Sequence, residues 1–71
     1  MISKAKNLDE AIALLKTIVK FSAVEGQKHL DLTLAGADER HFFNDALMLT
    51  QTEVEKGTLT TDELKKRLGL I

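Results

Sequence analysis

Apolar positions along this chain recur at two different spacings. Leu8, Ala11, Ile12, Leu14, Leu15, Ile18, Val19 and Phe21 fill about half the circumference of a wheel drawn at ~100° per residue, with Asp9, Glu10, Lys16, Thr17 and Lys20 opposite. This predicts a first amphipathic helix. Asn7 and Glu10 supply its capping box and Gly26 its stop. A stripe this broad covers more than one neighbour requires, so the first helix is expected to touch two others.

After Gly26 the period changes. Leu30, Leu32 and Leu34 alternate with Asp31 and Thr33, a period of two that suggests an extended segment over 29–34. A short helical turn or an ordered loop accounts for the same leucines.

A second helix is expected from Asp38 to Gly57. Phe42, Phe43, Ala46, Leu47, Leu49, Thr50 and Val54 form its apolar face, and Arg40, Asn44, Asp45, Gln51 and Glu55 its polar one. A third, short helix starts at Thr61, where the run Thr60, Thr61, Asp62, Glu63 is a second capping box and Leu59 can staple onto Leu64. Lys65, Lys66 and Arg67 suit its last turn and Gly69 its stop. Leu64, Leu68, Leu70 and Ile71 are expected to close one end of the core. The pattern therefore predicts an all-α fold, a hairpin of two long helices plus a short third one, in a single domain over 1–71.

Size adds a constraint. A chain of 71 residues buries only ~60% of the surface it exposes when unfolded, and a core this small supplies ~3–5 kcal/mol unless something reinforces it. With no cysteine present, disulfides and thiolate metal sites are excluded. Assembly with a copy of itself, as a homodimeric bundle, becomes the expected reinforcement. The formal net charge of −1 gives no electrostatic footprint for nucleic acid or an anionic membrane. The apolar stretch Ala11–Val24 is too short to span a bilayer and is broken by Lys16 and Lys20. Met1–Lys6 does not have the form of a signal peptide. A cytoplasmic location is the resulting expectation.

Few residues suggest chemistry. His41 and Asp45 have the i, i+4 spacing of two metal ligands, but two donors are too few for the usual tetrahedral site, and a solvated pair explains them. Ser3 and Ser22 have no base nearby in sequence, and the four glycines are isolated stops rather than a phosphate loop. Neither an enzyme nor a cofactor or metal site is expected. Three cations at Lys65, Lys66 and Arg67 suit the dipole of the third helix better than a nucleic-acid patch, since stacking aromatics are missing.

Two positions break the amphipathic pattern of the second helix. Glu53 falls inside the apolar face, either as a boundary residue near the helix end or, with Leu30, Leu32 and Leu34, as part of a dimer interface. Met48 falls on the polar face beside His41, Asn44 and Thr52, either as an ordinary exposed apolar residue or as the centre of a partner surface.

The function these readings support is a non-catalytic interaction or regulatory module that contacts proteins and pairs with itself. One alternative is a DNA-binding regulator whose order of elements is similar to a ribbon-helix-helix protein. There His29, Asp31 and Thr33 would face the bases from a strand shared with a dimer mate, and the helix start near Thr60 would hold a phosphate. Asp31, the length of the second helix and the lack of basic character oppose it. A purely structural or assembly subunit is the second alternative.

Overall fold

A computed structural model describes residues 4–71. Asn7 caps the first helix, α1 (Leu8–Lys16), by accepting from the amide of Glu10 at 2.9 Å. The Glu10 carboxylate reaches back to the amide of Lys6 at 3.1 Å, one residue before the cap. Ala11, Ile12 and Leu15 are the buried positions of α1.

The helix ends well before Gly26. Thr17 closes it, its hydroxyl donating to the Leu14 carbonyl at 2.6 Å, and the chain turns out at Ile18 into a β-hairpin. Its strands are β1 (Val19–Ser22) and β2 (Gln27–Leu30), antiparallel, with Val19 opposite Leu30 and Phe21 opposite Lys28. The fold is accordingly α+β, with three helices and a two-stranded sheet, and it is neither an all-α bundle nor a two-helix hairpin. The physical reason is a competition at Ile18, Val19 and Phe21. They continue the helical stripe of Leu14 and Leu15, but they are also β-branched and aromatic residues that suit a strand with a partner across a turn. Gly26 adopts φ +68°, which fits a hairpin turn as well as a helix stop. Its amide donates to the Ser22 carbonyl at 2.8 Å.

The expected extended segment over 29–34 is strand only through Leu30. At Asp31 the amide still donates to the Ile18 carbonyl at 2.8 Å. The Asp31 carboxylate then accepts from the amide of Thr33 at 2.9 Å and from its hydroxyl at 2.5 Å. That local alternative to the ladder turns the chain into a 3₁₀ turn, Leu32–Leu34. Leu30 and Leu32 pack on the core, whereas Leu34 is 53% exposed.

A second 3₁₀ turn, Ala37–Glu39, leads into α2 (Arg40–Glu55), and α3 (Thr61–Leu68) follows. The Thr60 hydroxyl caps α3 by accepting from the Glu63 amide at 3.1 Å. Both helices end on a glycine with positive φ, Gly57 and Gly69, which only a residue without Cβ adopts freely.

The core joins α1, α2 and α3 around Phe43, Leu15, Ile18 and Ala46, with Leu68 from α3. Thr50, the one buried polar residue among those described, satisfies its hydroxyl by donating to the Leu47 carbonyl at 2.8 Å. Helix α1 packs on both other helices, while the two strands pack mainly on each other. The body is flat, 34 × 29 × 15 Å.

Candidate functional site

Along α2, Asp45, Met48, Leu49 and Thr52 span roughly 100° of the helix surface, beside the buried stripe of Phe43, Ala46 and Thr50. The segment 4–6, held to α1 through the Lys6–Glu10 hydrogen bond, runs along this second stripe. Between them lies an open groove of about 590 Å³ lined by Lys4, Ala5, Lys6, Asp45, Met48, Leu49 and Thr52. Its centre is apolar: Ala5 is buried, Leu49 is half-buried and Met48 is 65% exposed. Three charged residues, Lys4, Lys6 and Asp45, share the lining, and Lys4 Nζ lies 4.0 Å from Asp45 Oδ2. That separation and the exposure of both groups make the pair weak.

The groove gathers Met48 and Thr52 from the expected partner surface and leaves His41 and Asn44 outside it. His41 turns its ring onto Phe42, the centroids 3.9 Å apart, and the ionic partner of Asp45 is Lys4 rather than His41. Sequence patterning missed Ala5, Lys4 and Lys6, because no periodicity connects a segment before Asn7 with α2. Among the described residues no three His, Cys, Asp or Glu side chains converge on one point.

Of the expected dimer-interface residues, Leu30 and Leu32 face inward. Glu53 is held within its own chain, since the Thr58 hydroxyl lies 2.6 Å from Glu53 Oε2. Only Leu34 of this set stands more exposed than covered.

No family model, curated protein or solved structure matches this chain. The functional reading therefore rests on geometry.

A smaller groove of about 310 Å³ is lined by Gln27, Lys28, His29, Leu30, Lys65, Leu70 and Ile71. His29 Nδ1 is buried and makes no hydrogen bond among the described residues. Asp31 is held below the usual carboxylate range, first by the hydroxyl and amide of Thr33 and then by Lys20 and His29. His29, Asp31 and Thr33, with the helix start near Thr60, were the expected DNA contacts. The side-chain oxygens of Asp31, Thr33 and Thr60 are engaged within the chain, and β2 takes its strand partner from β1. No helix among the described residues is long and apolar enough to cross a membrane.

Proposed function

We propose that this protein is a non-catalytic interaction module that works through protein–protein contacts and pairs with a copy of itself. The observation that carries this reading is the groove along α2, where Ala5, Met48 and Leu49 share the lining with Lys4, Lys6, Asp45 and Thr52, a mixture of apolar and polar groups like that of a contact face. Self-association would reinforce a small core.

A cytoplasmic location is part of the proposal, in keeping with a chain that has no cysteine to pair, and fractionation of cells expressing the tagged chain checks it. The test of function is the thermal midpoint measured across a wide range of protein concentration. It should rise with concentration, as mass action requires of a dimer. A midpoint independent of concentration, with the mass of a monomer throughout, would remove the proposal. Tight, salt-dependent binding to duplex DNA would favour the regulator alternative instead.

A further inference from the structure

The β-hairpin carries apolar surface that its own chain leaves uncovered. By the strand register, Phe21 and Lys28 share a face with Val19 and Leu30. Leu30 packs on the core, yet Phe21 on the same face is 58% exposed, and Val24 in the connecting loop is 98% exposed. Among the described residues the hairpin thus leaves more than half of Phe21 and nearly all of Val24 uncovered. Single exposed apolar residues are ordinary. Two exposed apolar residues three positions apart on one hairpin make a contact patch rather than a scattered pair.

We propose that the hairpin of one copy seats in the α2 groove of another, reciprocally, so that two chains exchange hairpins about a two-fold axis. This rests on the self-association proposed above and specifies its interface. Shape, charge and closure favour a second copy as the occupant. The groove, about 590 Å³ with Ala5, Met48 and Leu49 as its apolar lining, has room for the Phe21 ring with Val24. Met48 is unbranched and adapts to such a shape.

Charges also match. Glu25, beside Val24 at the turn, and Lys6, in the groove lining, have no ionic partner among the described residues. Finally, one hairpin in one groove is a small contact, whereas stable interfaces bury about 800 Å² per partner. Reciprocal exchange buries both the hairpin and the groove of every chain, and it closes, where a one-way contact would propagate into filaments.

The chain contains no cysteine, so introduced thiols report single positions. Val24→Cys and Met48→Cys chains, prepared separately, mixed at equal concentration and gently oxidised, should give mainly the mixed disulfide that joins the hairpin turn of one variant to the α2 groove of the other. Val24→Glu and Met48→Glu, both at exposed positions, should each weaken association about tenfold or more, with the helical circular-dichroism signal unchanged. Glu25→Lys should weaken it as well, and Lys6→Glu should restore it in the double variant. If the protein is dimeric but the mixed disulfide is no more abundant than the two symmetric ones, or the glutamate variants associate as the parent does, the hairpin exchange is wrong and self-association stands. A monomer at every concentration overturns both.

Discussion

At the residue scale, the most consequential side chain is Asp31. It ends the hairpin ladder, accepts two hydrogen bonds from Thr33, and lies 3.9 Å from Lys20. Its carboxyl is held below the ordinary value of 3.8 by those contacts, so the unfolded chain binds this proton more readily than the folded one. The stability it contributes is therefore present above about pH 4 and is lost as pH falls through the folded value. Urea midpoints measured between neutral pH and pH 2 should fall in acid, and Asp31→Asn should flatten that fall while lowering the midpoint at neutral pH. An identical pH profile in the variant would show that Asp31 is not the titrating contact. Arg67 and Asp9 form a closer ion pair, 2.6 Å between Nη2 and Oδ1, joining α3 to α1, but its exposure limits it to about 0–1 kcal/mol.

At the element scale, legibility followed the range of the interactions involved. Helix α3 was readable because its cap, Thr60 with Glu63, and its stop, Gly69, are local. Helix α2 was readable because one face, Phe43, Ala46 and Thr50, is buried at helical spacing. The start of α1 at Asn7 was equally local.

Its end was not, because Ile18 and Val19 satisfy two periods at once and only the pairing of β1 with β2 decides between them. Phe21 moved with that decision, from an expected core position to an exposed one. The groove was half readable: Met48 and Thr52 share a stripe of α2, but Ala5 reaches them only through tertiary packing. The packing sets a firm expectation for Phe43, 1% exposed at the centre of the core. Phe43→Ala should cost about 3–5 kcal/mol, comparable with the whole stability of so small a core, and the variant should show no cooperative melt. The hairpin belongs to the other extreme. A two-stranded sheet is marginal by itself, so its amides should exchange with solvent faster than those of α1 and α2. Hairpin exchange should slow as protein concentration rises, since a seated hairpin is protected; concentration-independent exchange would argue against seating.

At the scale of the whole molecule, a flat body, an exposed apolar patch on the hairpin and the groove along α2 motivate one proposal, that the chain completes its packing with a copy of itself. The pieces are unlike surfaces on one chain, and exchange between two copies engages all of them. Mass in solution, measured by light scattering from dilute to concentrated protein, tests this most directly. The account predicts a shift from the 7.9 kDa of the single chain to twice that mass, with no larger species following. A mass that stays at one chain throughout, or that climbs without limit as open-ended polymers would, contradicts it.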